Sequence, residues 1–157
     1  MAEAVDLVNA VIGYRLVEKL YRGSRTIVYR AIRDADQCPV VIKLLQQDYP
    51  TLSELLQFRK QYLITKNLHI PGIVQPYCLE PYGNSHALLM EDFGGLSLRE
   101  YTQANPLSLA QLLAIALQLA RILHDLYQNR IIHKDIKPAN ILIHPESRTC
   151  HQLGRLE

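Results

Sequence analysis

Residues 133–140, HKDIKPAN, set an imidazole, a carboxylate, two ammonium groups and a carboxamide within one short stretch of chain. A carboxylate can take up a proton, an ammonium group can offset anionic charge, and a carboxamide oxygen can bind a cation. A second candidate lies far upstream. Lys43 sits inside PVVIKLL, a run too apolar to carry an ammonium group without a partner. His144, Cys150 and His151 carry metal-ligating atoms, but no fourth ligand falls at a workable spacing, so no metal centre is expected there.

The elements that must position these groups change character along the chain. Tyr14–Tyr21 and Thr26–Ile32 read as strands around the polar turn Arg22-Gly23-Ser24-Arg25. Pro39–Leu45 is β-branched and apolar throughout, as a strand buried on both faces would be. From Thr51 the apolar positions Leu52, Leu55, Leu56, Tyr62 and Leu63 take helical spacing, and Thr51-x-x-Glu54 forms a capping box after Pro50. This helix is expected to run to about Leu68, where Pro71-Gly72 stops it. Ile73–Leu79 and His86–Glu91 follow as strands joined through Pro81-Tyr82-Gly83-Asn84. Beyond Gly94-Gly95 the chain turns helical, and Ser108-x-x-Gln111 caps a helix to about Tyr127 that is apolar nearly all round and needs neighbours on every side. The order predicts an α+β chain with a small sheet lobe followed by a helical one.

Composition narrows the function classes. Seventeen Lys+Arg against 15 Asp+Glu leave a formal charge of +2, too balanced for a nucleic-acid or membrane-surface protein. The 48% hydrophobic content supports a packed core. Cys38, Cys78 and Cys150 form no C-x-x-C pair, which fits a reducing cytoplasm better than a disulfide scaffold. The N-terminus lacks a basic signal-peptide region, and the apolar stretch Leu107–Ala120 is broken by Ser108, Gln111 and Gln118, so no membrane insertion is expected.

HKDIKPAN, followed by Ile141-Leu142-Ile143, resembles the catalytic loop H-R-D-x-x-x-x-N of protein kinases. The resemblance makes Asp135 the base that orients an acceptor hydroxyl and Asn140 a magnesium holder. It gives Lys137 the task of neutralising charge on the transferring phosphoryl group. Asp-Ile-Lys-Pro-Ala-Asn is similar to the serine/threonine class, whereas tyrosine kinases usually carry Ala-Ala-Arg at the lysine. His133 would be a packing residue, and Lys134 keeps the charge of the usual Arg but not its bidentate fork.

Upstream, Val40-Val41-Ile42-Lys43 resembles V-A-I-K, whose lysine contacts the α- and β-phosphates of ATP. Leu88–Gly95 resembles the adenine-holding strand and hinge. There Met90 would be the gatekeeper, and the backbone of Glu91 and Phe93 would bond the purine edge. Val28, Val41 and Leu142 would pack on the purine's faces. His69–Val74 resembles H-P-N-I-V. The likeness runs from about Gly13 to Ile143 and is nearest to the kinase domain that opens large bacterial multidomain sensor kinases, ahead of ATPase, GAF and histidine-kinase modules. It implies a protein-kinase-like N-lobe of five antiparallel strands plus one helix over about 13–92 and a partial helical C-lobe over 93–147. Residues 1–12 would be an N-terminal extension and 148–157 a divergent tail.

Three departures temper what the resemblance implies. With Val28 on the valine of G-x-G-x-x-G-x-V, the three glycine positions hold Tyr21, Gly23 and Thr26. Glycines let backbone N–H groups approach phosphate without a Cβ in the way, so two losses should loosen or reshape that contact. Ser24, Arg25 and Thr26 offer side-chain donors, with a solvated turn as the equal alternative. The helix partner of Lys43, a glutamate in the family, becomes Gln61, which can accept a hydrogen bond but cannot balance charge. Glu54 lies seven residues earlier, about 10 Å along a helix, and its capping box already accounts for it. Finally, no Asp occurs after Asp135; the window for the metal-binding Asp-Phe-Gly holds Leu153-Gly154-Arg155-Leu156, in a segment expected to lack a strand. The implied function is an ATP-binding serine/threonine kinase fragment with impaired Mg2+ binding and little activity alone, its protein substrate unknown. The alternative is a pseudokinase-like nucleotide-binding or docking module.

Overall fold

The structure, a computed structural model, describes residues 11–152. The window 153–156 and all but the last two residues of the expected extension over 1–12 lie outside the described residues. The chain forms two units, one of residues up to Tyr62 with Pro76–Asp92, the other of Leu63–Gln75 with the residues from Phe93 onward.

The first unit is an antiparallel sheet of β1 (Tyr14–Arg22), β2 (Thr26–Arg33), β3 (Pro39–Leu45), β4 (Pro76–Tyr82) and β5 (Ser85–Glu91), in the order β1-β2-β3-β5-β4. Successive side chains of a strand point to opposite faces. Val40, Ile42 and Leu44 of β3 therefore share one face, where they join Ala31, Ala87 and Leu89 in an apolar cluster. The helix α1 (Leu52–Lys66) starts at its capping box: Glu54 N–H donates to Thr51 Oγ1, and Thr51 N–H donates to Glu54 Oε2 at 2.9 Å. Its inward face carries buried Phe58 with half-buried Leu55, while Leu52, Leu56 and Leu63 are exposed. The strand expected over Ile73–Leu79 starts instead at Pro76. Ile73 and Val74 are buried in the preceding turn, which Ile73 N–H closes on Ile70 O.

In the second unit, β6 (Leu96–Ser97), β7 (Ile141–Ile143) and β8 (Cys150–Gln152) form a small sheet with β7 central. Beside it lie α2 (Leu98–Ala104) and α3 (Leu109–Gln128). Ser97 with Glu100 and Ser108 with Gln111 make reciprocal capping boxes at the two helix starts. Ile115, Ile122 and Leu126 pack with Ile141, Ile143 and Cys150 in one core. The opposite side of α3 lacks the all-round cover its composition asks for: Leu109, Leu112, Leu113 and Leu117 are exposed. By length and composition α3 is also the one helix, among the described residues, that could cross a membrane, although it contributes three buried side chains to this core.

The segment from Arg148 corrects an expectation. Where no strand was predicted, β8 pairs antiparallel with β7, and Cys150 is buried opposite Ile143. Its polar sequence, Cys150-His151-Gln152, carries no apolar strand pattern. Gln118 of α3 secures the strand from the side, donating to Arg148 O at 3.2 Å and accepting from Cys150 N–H at 3.0 Å. The hairpin turn uses Arg148 at a positive φ of 54°, so no glycine advertised it.

Ile143 is fully enclosed in this core. Ile143→Ala is expected to destabilise the chain by about 3 kcal/mol through lost burial and an unfilled cavity. Urea denaturation would read this as a lower midpoint at unchanged slope.

Candidate functional site

Antiparallel register gathers the first set of candidates. Val28 stands opposite Lys43, and Val41 stands opposite Met90. Strand alternation then puts Val28, Val41, Lys43 and Met90 on the face of the sheet away from the Val40–Ile42–Leu44 cluster. Lys43 Nζ donates to Gln61 Oε1 of α1 at 2.9 Å, and the ammonium lies 6.0 Å from the Phe58 ring centroid. Glu54 is engaged with Thr51 in the helix cap, and that backbone hydrogen bond holds its carboxyl below the usual range. A neutral amide thus meets Lys43 from the helix.

The turn between β1 and β2 is closed by Gly23 N–H on Thr26 O at 2.9 Å. Gly23 lies against the ring of Tyr21, which is itself exposed. A Cβ there would run into the Tyr21 ring, with Cε1 only 2.8 Å away. Tyr21 and Thr26 occupy the positions flanking it.

The chain leaving β5 carries an anchor that the sequence reading missed. Arg30 of β2 grips Asp92 through two donors, Nε at 2.6 Å and Nη2 at 3.4 Å, while Nη1 reaches Glu18 at 2.7 Å. The Asp92 side chain is only 6% exposed. A charge pair two strands apart leaves no local motif, so only the three-dimensional register reveals it. Glu91 precedes this anchored residue, and Phe93 packs its ring beside Gly95 in the second unit.

The loop HKDIKPAN folds on itself. Asn140 Nδ2 donates both to the Asp135 backbone oxygen and to Asp135 Oδ2, each at 2.8 Å. Lys137 Nζ approaches the same Oδ2 at 2.9 Å. A one-turn 3-10 helix over Pro138–Asn140, with Asn140 N–H on Lys137 O, brings the amide back to the carboxylate. Hydrogen bonding from Lys137, helped by Asn140 against partial burial, holds the Asp135 carboxyl below its usual range. Behind it His133 is buried and accepts Asp135 N–H at Nδ1, 3.2 Å away. Its Nε2 is enclosed with no hydrogen-bond partner among the described residues. Ile141 and Ile143 anchor the loop's end in the core, and Leu142 between them stands half-buried on the other side of β7. Among the described residues no group of three or more His, Cys, Asp or Glu could hold a metal ion.

The family model for the protein kinase domain matches residues 14–152. The chain belongs to the protein kinase family. It is 34% identical over 132 residues to the serine/threonine-protein kinase PrkC of Bacillus subtilis, covering 83% of this chain and 20% of that protein. A protein kinase and PP2C-like domain-containing protein of Arabidopsis thaliana is 26% identical over 144 residues, covering 90% of this chain and 21% of that protein. A probable serine/threonine-protein kinase of Clostridium acetobutylicum is 26% identical over 132 residues, covering 83% and 20%. The chain therefore spans about a fifth of the length of these curated relatives. The matched range of the kinase domain includes β8.

The kinase loop is a preorganised unit. Its carboxylate already faces an ammonium and an amide, so it stays ionised and oriented without rearrangement. Its histidine supplies a second test. Burial pushes the imidazole below its ordinary value, and the nearby Asp135 carboxylate opposes that only in part. The folded form then resists a proton that the unfolded chain accepts near pH 6.5, so stability should fall as pH drops from about 6.5 to 5. Urea midpoints at pH 7.5 and 5 should converge in His133→Phe relative to the natural chain; an identical pH loss in both would contradict the assignment.

Proposed function

We propose that this chain is the ATP-handling part of a serine/threonine kinase that phosphorylates a protein hydroxyl. The observation that carries the proposal is the Asp135–Lys137–Asn140 cluster, a carboxylate held ionised beside one ammonium and one carboxamide. Lys43 would hold the α- and β-phosphates. Val28, Val41, Met90 and Leu142 would enclose adenine, with the backbone of Glu91 and Phe93 bonding its edge and Gly23 in the phosphate turn. In the reaction the acceptor oxygen attacks the γ-phosphorus, the bond from that phosphorus to the bridging oxygen breaks, and ADP leaves. Asp135 orients the acceptor hydroxyl and receives its proton, while Lys137 offsets charge on the phosphoryl oxygens.

Asn140 donates to Asp135 through Nδ2, so its Oδ1 is the hard oxygen that would hold Mg2+, as one ligand among several. The ion, when bound, neutralises charge on the phosphate oxygens. The 157 residues contain no aspartate beyond Asp135, so on their own they supply one such holder where family members use two. Gln61 favours a second reading, nucleotide binding without transfer, because an amide meets Lys43 where family members carry a glutamate. The cysteines Cys38, Cys78 and Cys150 are unpaired, which supports a reducing cytoplasmic setting.

The purified 157-residue chain should bind ATP, with Lys43→Ala weakening binding about tenfold or more, and should transfer phosphate slowly if at all. Calorimetric titration and radiolabelled ATP turnover would measure both. Robust transfer that disappears in Asp135→Asn would establish the kinase reading over the binding-only one. Absence of nucleotide binding would remove both.

A further inference from the structure

The turn Gly23–Thr26 keeps one glycine where the family has three, yet it is not loose. Gln46, immediately after β3, holds it from the adjoining strand. Its backbone N–H donates to Arg25 O at 2.9 Å. Its side-chain Nε2 donates to Gly23 O and, at 3.2 Å, to Thr26 O. One residue thus fixes three of the four carbonyl oxygens in the turn. The Tyr21 ring also lies against Gly23. Ser24 and Arg25 remain exposed at the tip.

We propose that Gln46 is the positioning residue that makes this glycine-poor turn a phosphate-binding one. The proposal rests on the ATP reading above and deepens it. Carbonyl oxygens are the negative ends of peptide dipoles, and any that face a triphosphate repel it. A glycine-rich loop avoids this by swinging its N–H groups toward the anion. A turn with Tyr21 and Thr26 at its shoulders lacks that freedom, so its carbonyls must be held back by a donor. The two N–H bonds of the Gln46 carboxamide do so, leaving the Ser24–Arg25 tip to face the anion. Gln46 itself touches no phosphate. Its effect should fall on the triphosphate and spare the nucleoside.

The test titrates the full 157-residue chain, and its Gln46→Met and Gln46→Glu variants, with ATP and with adenosine. Both variants remove the amide donors, one without adding charge. The expected result is tighter binding of ATP than of adenosine by the natural chain, and a loss of about tenfold for ATP alone in each variant. Hydrogen exchange supplies a local readout: the Gly23 amide should lose protection while amides within β3 keep theirs. Unchanged ATP affinity in Gln46→Met, equal weakening of ATP and adenosine, or undiminished Gly23 protection in either variant would overturn the proposal. A natural chain that binds both ligands equally also overturns it but leaves nucleotide binding standing. One that binds neither removes the ATP reading and this proposal together.

Discussion

The antiparallel register of β3 between β2 and β5 is the constraint on which the first unit depends. Ile42 lies opposite Tyr29 on one side and Leu89 on the other, and it is completely buried. Fixing Ile42 inward fixes its neighbours outward, because strand side chains alternate without exception along a regular ladder. Lys43 and Val41 therefore have no choice of face. A slip of one residue would drive the ammonium into the Val40–Ile42–Leu44 cluster and expose that apolar set. Desolvating an unpaired ammonium costs several kcal/mol or more, so one misregistered lysine outweighs most alternative packings. The placement of Lys43 and the core are specified by the same pairing.

The second unit meets an analogous demand with a different device. Its candidate groups, Asp135, Lys137 and Asn140, sit on a loop, where no ladder enforces a face. Orientation comes from the ends. Ile141 and Ile143 enter the core directly after Asn140, and His133 is buried just before Asp135. Between these anchors the Pro138–Asn140 turn shortens the path until Asn140 reaches the Asp135 backbone and carboxylate together. Each hydrogen bond contributes about 1 kcal/mol net of the water it replaces, more when one partner is charged, but their larger effect is geometric. They keep a half-exposed carboxylate in one pose.

Much of this was legible in the sequence because the signals were local. HKDIKPAN carries its spacing openly, PVVIKLL declares a doubly buried strand, and both Thr51-x-x-Glu54 and Ser108-x-x-Gln111 announced helix starts that the structure contains. Gln61, expected as the helix partner of Lys43, accepts its hydrogen bond. The misses share a cause, which is dependence on residues distant in the chain. β8 rests on Gln118 and on Ile143, and a positive-φ arginine makes its turn, so RTCHQ looked like a tail. Ser97-x-x-Glu100 had the capping pattern but precedes a helix of seven residues, too short to show a period. The Arg30–Asp92 pair spans sixty-two positions and could not be read from either end.

That pair has a mechanical implication. The ladder alone would carry a load on the chain at Asp92 through β5 and β3 before it reached β2. The guanidinium gives it a direct path, from the carboxylate of Asp92 to β2 and onward through Glu18 to β1. Traction at the exit of β5 therefore reaches β2 through the buried Asp92 carboxylate as well as through the ladder, while the exposed Glu18 link adds little.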